Sequence, residues 1–209
     1  MPIRNFLGET FVAFTDISGF KEMMKGDGKQ AVHALDRLNQ VGYNILLNNH
    51  NINGLFVSDS GVIFVNDNAL SKYDRLKNLL NVLRSINREL LQDDIMLTTS
   101  IAFGHFSYHQ RLEFEGIEKN PIFGNAYVTA YFDNEKGKPK IQPGQCRIVN
   151  NNVDDLYFNH SDLIERTGSH FYYYWMVNQA DEITDFKNKY TDAYQLKYQG
   201  MLKALKRNG

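Results

Sequence analysis

The sequence predicts an α+β fold built on the βαββαβ order of the ferredoxin-like arrangement, with a C-terminal helical extension. Three observations carry this expectation. An apolar, β-favouring run, Phe11–Phe14, ends in Asp16 and the small turn Ser18-Gly19. Two stripes of helical spacing flank a pair of apolar runs at Gly54–Val65. A β-branched, alternating segment, Leu97–Phe106, follows the second stripe.

Phe11–Phe14 suits an inner strand that delivers the carboxylate of Asp16 to its C-terminal tip. A carboxylate so close to apolar walls is paired, capping or metal-bound, because a lone buried charge costs several kcal/mol. Asp16 is therefore either the N-cap of a helix beginning near Gly19 or a ligand. FKEMMKGDGKQ gives a short helical turn interrupted at Gly26-Asp27-Gly28. Free amides at the start of such a turn favour phosphate.

Over Lys29–Asn49, Val32, Leu35, Leu38, Val41 and Ile45 form a core-facing stripe. In Gly54–Val65 two strands surround Ser58-Asp59-Ser60 and Gly61, the pattern of a tight hairpin with Asp59 at its tip. Alone, Asp59 reads as a turn former. Beside the first strand it would join Asp16 at one sheet edge, where the two could hold divalent cations.

Asn68–Leu91 repeats the helical stripe through Leu76, Leu79, Leu80, Leu83, Ile86 and Leu90, with basic residues expected on a solvated face. Gly116–Asn120 reads as a loop, Pro121 starts the next element, and a helix is expected from Phe123 to about Glu135 with Tyr127 and Tyr131 one turn apart. Gln145–Val149 and Phe171–Val177 read as further strands, and Asp181–Leu205 as a polar C-terminal helix.

The chain has 209 residues, 43% of them hydrophobic, and no Pro/Gly/Ser-rich linker divides it, so a single domain is expected over 1–209. Its 23 basic and 24 acidic residues form no long patch of one sign, which argues against a nucleic-acid or membrane-surface binder. Cys146 is the only cysteine, so no intrachain disulfide forms. With no signal-peptide apolar region at the start and no spanning apolar window, a cytoplasmic location is expected. The six histidines show no zinc-site spacing.

FTDISGF followed by the SDSG hairpin resembles the two metal-binding segments of the class III nucleotide cyclases. GNAYVTAYFDNE, Gly124–Glu135, with KPKI, Lys138–Ile141, looks more like one branch, the pyrimidine cyclases of bacterial Pycsar anti-phage systems. The resemblance covers roughly residues 9–150 and leaves 151–209 as an extension. It implies a two-metal uridylate cyclase that makes cyclic UMP from UTP, with CTP and cyclic CMP, or a nucleotide-binding relic, as alternatives. It implies two divalent ions, Mn2+ or Mg2+, held by Asp16, Asp59 and the Ile17 carbonyl, and a triphosphate cradled by Ser18, Gly19 and Phe20. It further implies a homodimer with shared sites and a downstream effector that reads the product.

The sequence departs from the wider superfamily where other cyclases carry an asparagine and an arginine. Those positions hold Val128 and Phe132, or Thr129 and Asp133 under a one-residue shift. Lys136, Lys138 and Lys140 are candidate replacement cations, with Lys140 matching a basic residue of the pyrimidine branch. Purine-reading positions hold Leu55 and Pro121, which cannot read a purine edge, and this favours a pyrimidine.

Overall fold

The computed structural model describes residues 5–114, 117–119 and 121–207. Strand β1 (Phe6–Ile17) is followed by the single turn α1 (Phe20–Met23), helix α2 (Lys29–Leu47) and the hairpin β2 (Ile52–Val57) and β3 (Ser60–Val65). Helix α3 (Lys72–Gln92) leads into β4 (Leu97–Tyr108), a small ribbon β5 (Arg111–Phe114) and β6 (Ile117–Lys119), and β7 (Ile122–Phe123). Helix α4 (Asn125–Lys136), β8 (Cys146–Val149), β9 (Ile164–Thr167) and β10 (His170–Tyr173) come next. The chain ends in α5 (Glu182–Tyr190), a π turn (Thr191–Gln195) and α6 (Leu196–Arg207).

The main sheet runs β2-β3-β1-β4-β8-β10-β9, with β7 paired to β4. Its first four strands are antiparallel, with β1 between β3 and β4, as the βαββαβ order predicts. The alternation of β1 divides the interior in two. Phe11, Ala13 and Ile17 face α2 and α3 and join Leu38, Leu79, Leu83 and Ile86, whereas Val12 and Phe14 face α4 and join Val62, Phe64, Ala126 and Ala130. The α3 stripe is buried as expected, but Val32 on α2 is 58% exposed. The small residues Ala31 and Ala34 face inward in its place, in line with the buried Leu38 and Val41.

Other expectations are corrected. Residues 117–119 form strand β6 rather than loop, and β10 stops at Tyr173 instead of reaching Val177. Arg84 and Arg88 are not on a solvated face: they donate to the carbonyls of Trp175, Met176 and Val177. Those bonds seat the residues after β10 on α3, and Trp175, Val177 and Ile183 enter the main core. The C-terminal helical run is likewise less polar in use than its composition implies. Tyr190 and Tyr194 stack, Phe186 meets both edge to face, and Phe186, Tyr194, Met201 and Leu205 pack against the core.

Helix α4 is pinned by a buried polar cluster that no periodicity announced. Asp133 accepts from Arg147 Nε at 2.8 Å and Nη2 at 3.0 Å, from His170 Nε2 at 2.7 Å and from the Ser100 hydroxyl at 2.7 Å. Arg147 is fully buried and also donates to the carbonyls of Asp133 and Pro139. Gly124 at the start of α4 lies so close to β4 that an added Cβ would fall 2.2 Å from the His105 carbonyl oxygen. Arg147→Ala should destabilise the protein by about 3 kcal/mol in urea denaturation, because the buried Asp133 carboxylate would lose its guanidinium partner and keep only His170 and Ser100.

Candidate active site

Asp16 lies at the C-terminal end of β1, opposite Ser60 of β3 on one side and Thr98 of β4 on the other. By alternation its side chain shares the α4 face with Phe14. Ser58 and Asp59 form the two-residue hairpin loop, with Ser58 in the left-handed region at φ 56°. The hairpin tip is tied to the central strand by the Ile17 amide, which donates to the Asp59 carbonyl at 2.9 Å. That bond brings the two acids to the same edge.

The Ser60 hydroxyl donates to Asp16 Oδ1 at 2.9 Å. Burial pushes the Asp16 carboxyl up from its ordinary 3.8 to about 6, against the pull of the Ser60 bond. The charges of Asp59 and Glu135 push it further, and Lys21 pulls it back. Glu135 belongs to the last turn of α4. Its neighbour Asn134 accepts from Thr98 Oγ1 at 3.1 Å, while the Asn134 amide nitrogen is buried without a hydrogen-bond partner.

The turn after β1 takes the expected shape. The Ser18 amide donates to the Met96 carbonyl at 2.8 Å, and the Ser18 hydroxyl is buried without a partner. Gly19 adopts φ 79°, a left-handed conformation that suits glycine, and its carbonyl accepts from the amides of Glu22 and Met23. Phe20 is buried against the α2 side. Asp16 is not the N-cap of α1, since Gly19 holds that position.

The remaining predicted residues divide. Leu55 pairs with Val62 and packs half-buried on the α4 face, one pleat from Asp16. Pro121 does not join them: its carbonyl accepts from His109, beyond the far end of β4, so about 30 Å of strand separates it from Asp16. Lys140 is exposed and its carbonyl accepts from Gln142, while Lys136 stands over the Phe132 ring. Lys21, a residue with no distinguishing pattern in the sequence, exerts a small downward pull on the Asp16 carboxyl. Val128 is 45% and Phe132 50% exposed on α4, whereas Asp133 points inward, so the unshifted alignment is the one whose positions face out.

No protein-family model matches the sequence, and no curated protein sequence matches it. Solved structures do. The guanylate cyclase domain of RhGC from Catenaria anguillulae, in complex with GTP, superposes with a TM-score of 0.63 at 12% identity, covering 81% of this chain and 97% of that one. The adenylyl cyclase CyaB from P. aeruginosa gives 0.58 at 14% identity, over 81% and 95% of the two chains. A dimeric guanylyl cyclase domain of the RhoGC fusion protein from Blastocladiella emersonii gives 0.59 at 12% identity, over 82% and 98%. This chain therefore has the fold of the class III nucleotide cyclase catalytic domains.

The donor set can be tested against the divalent ions such a fold implies. Among the described residues no three or more His, Cys, Asp or Glu side chains form a metal-holding group. Two adjacent carboxylates, one of them driven to retain its proton, still suit a hard cation that takes its other oxygens from substrate phosphates and water. The set fits.

The shift at Asp16 has a stability consequence in the metal-free protein. Its pKa is higher folded than unfolded, so between pH 3.8 and about 6 the folded state binds more protons and stability falls as pH rises. Asp16→Asn should therefore stabilise the metal-free protein above pH 6 by about 1–2 kcal/mol, discounted for partial exposure. The gain should vanish below pH 4 when melting is followed across a pH series in chelator.

Proposed function

We propose that this protein is a nucleotide cyclase that converts UTP to 3′,5′-cyclic UMP and pyrophosphate, and that the product acts through an effector in defence against phage. The observation that carries the reading is the pairing of Asp16 with Asp59 at one edge of a cyclase fold. The anti-phage setting rests on the likeness of GNAYVTAYFDNE and KPKI to the pyrimidine branch.

In the reaction the ribose 3′-oxygen forms a bond to the α-phosphorus, the bond from that phosphorus to the bridging oxygen breaks, pyrophosphate leaves, and the hydroxyl proton passes to solvent. Asp16, Asp59 and the Ile17 carbonyl are assigned to two divalent ions, Mn2+ or Mg2+, which when bound would acidify the 3′-hydroxyl and offset the charge on the triphosphate. Ser60 orients the Asp16 carboxylate. The Ser18–Phe20 turn is assigned to the phosphates through the Gly19 and Phe20 amides, the Ser18 amide being held by the Met96 carbonyl. Leu55 offers an apolar wall with no hydrogen-bonding group for a purine edge.

The active form in this reading is a homodimer. Val128, Tyr131 and Phe132 are exposed together on the α4 side, a patch that a second copy would cover. One observation favours a binding-only relic, namely that apolar Val128 and Phe132 stand where other cyclases carry asparagine and arginine.

Purified protein given all four nucleoside triphosphates at equal concentration with Mn2+ should form cyclic UMP as the dominant product. Dominant cyclic CMP would correct the base, dominant purine products would overturn the pyrimidine assignment, and no product with intact binding would support the relic. Asp16→Ala and Asp59→Ala should each lower turnover at least about a hundredfold while leaving the circular dichroism spectrum unchanged. In sedimentation across a dilution series, activity should fall as dimer gives way to monomer.

A further inference from the structure

We infer that the C-terminal helix α6 belongs to the site as the support of the phosphate turn, with Tyr198 and Leu202 as positioning residues. The inference rests on the cyclase reading, which is what makes Ser18–Phe20 a phosphate cradle.

Beyond Gly19 the turn is held by Phe20 and Met23, which are buried in the main core, and Gly19 itself has no side chain with which to pack. Helix α1 is four residues long, and Gly26 and Gly28, at φ 80° and 68°, interrupt the chain just beyond it. On the near side of Gly19 the backbone is tied by the Ile17 amide on the Asp59 carbonyl and the Ser18 amide on the Met96 carbonyl. Against Gly19, however, lies α6. A Cβ added at Gly19 would sit 3.1 Å from Leu202 Cδ2, 3.2 Å from Tyr198 Oη and 3.3 Å from Tyr198 Cε2. The peptide at the centre of the turn is thus in direct packing contact with two side chains one helical turn apart.

The side from which α6 approaches decides between support and obstruction. Met201 and Leu205 of α6 pack on the core cluster formed with α2 and α3, whereas Asp16 shares the opposite face with Phe14 and Val62. Helix α6 therefore stands behind the turn and leaves the carboxylate side open. Its seating is narrow. The Lys197–Asp94 ion pair fixes one flank, and between α6 and α2 a cleft of about 530 Å³ remains, lined by Met23, His33, Ala34, Asp94, Lys197 and Met201. With so little contact beneath it, α6 transmits its position to the turn chiefly through Tyr198 and Leu202.

Support of this kind acts on the ground state and the transition state alike, so its loss raises KM rather than lowering kcat. The test uses the full chain as wild type, as Tyr198→Ala with Leu202→Ala, and as the conservative Tyr198→Phe, which keeps the ring on Gly19. Amide hydrogen exchange across Ile17–Met23 should quicken at least about tenfold in the double variant, while β3 amides exchange as in wild type. The KM for the preferred nucleoside triphosphate should rise about tenfold with kcat within about twofold, and Tyr198→Phe should match wild type in both readouts. Unchanged exchange at Ile17–Met23, faster exchange spread equally into β3, or a loss confined to kcat would each overturn the inference. The cyclase reading fails separately: wild type would then form no cyclic product. Exchange, together with the Mn2+-dependent affinity for inorganic tripolyphosphate, would still decide whether α6 supports the turn, expected tenfold weaker binding sustaining it and equal binding overturning it.

Discussion

The hydrogen bond from the Ile17 amide to the Asp59 carbonyl joins the end of the central strand to the tip of the neighbouring hairpin, and the electrostatics of the site follow from it. Strand β1 is already held along its length by β3 and β4, so its last residues have no freedom to retreat from the hairpin. Two carboxylates are thereby kept at one half-buried edge without a fixed countercharge of comparable strength. The elevated proton affinity of Asp16 comes first from its burial, with the neighbouring charges of Asp59 and Glu135 adding to it. A folded state that keeps such a carboxylate charged at neutral pH forgoes stability there.

What permits the tolerance is rigidity on both faces of the sheet. On one face, Leu79, Leu83 and Ile86 of α3 and Leu38 of α2 fill the interior beneath Phe11, Ala13 and Ile17. On the other, α4 makes a thinner layer with only Ala126 and Ala130 fully inside, and the fixing is done by polar groups. The Asp133 carboxylate is shared among Arg147, His170 and Ser100, which ties α4 to β4, β8 and β10 at once. A buried ionic cluster of this kind adds little net stability, but it sets the rotation of the helix. That rotation turns Asp133 inward and leaves Val128 and Phe132 outward on the side of the sheet that carries Asp16.

The segment beyond residue 150 is integral to this arrangement. Strands β9 and β10 extend the sheet, and Trp175, whose indole donates to the Gly144 carbonyl at 2.7 Å, anchors the loop leading to β8. Arg84 and Arg88 hold the next few residues by their carbonyls, and the aromatic ladder of Phe186, Tyr190 and Tyr194 carries the chain toward α6. A stretch that reads as polar and uninformative therefore delivers Tyr198 to the back of the Gly19 turn.

The sequence by itself determined the parts of this protein whose cause is local. Short apolar runs marked β1 and β3, alternation and β-branching marked β4, the 3.6-residue stripe defined α3 to within about a turn, and Ser58-Asp59-Ser60-Gly61 announced the hairpin because few other residues accept its backbone. Asp16 and Asp59 were legible for the same reason: each closes an apolar strand at a polar turn. What only the tertiary structure decided depends on which elements meet. Lys21 and Glu135 act on Asp16, and Pro121 does not join it, because antiparallel pairing puts the two ends of β4 some ten residues apart. Val32 faces out while Ala31, Ala34, Leu38 and Val41 face in, because the seating of α2 on the core fixes which side of its stripe is covered. Arg147, His170 and Asp133 are ordinary letters in three separate segments. Their meaning comes from a single buried position where an unpaired charge could not persist.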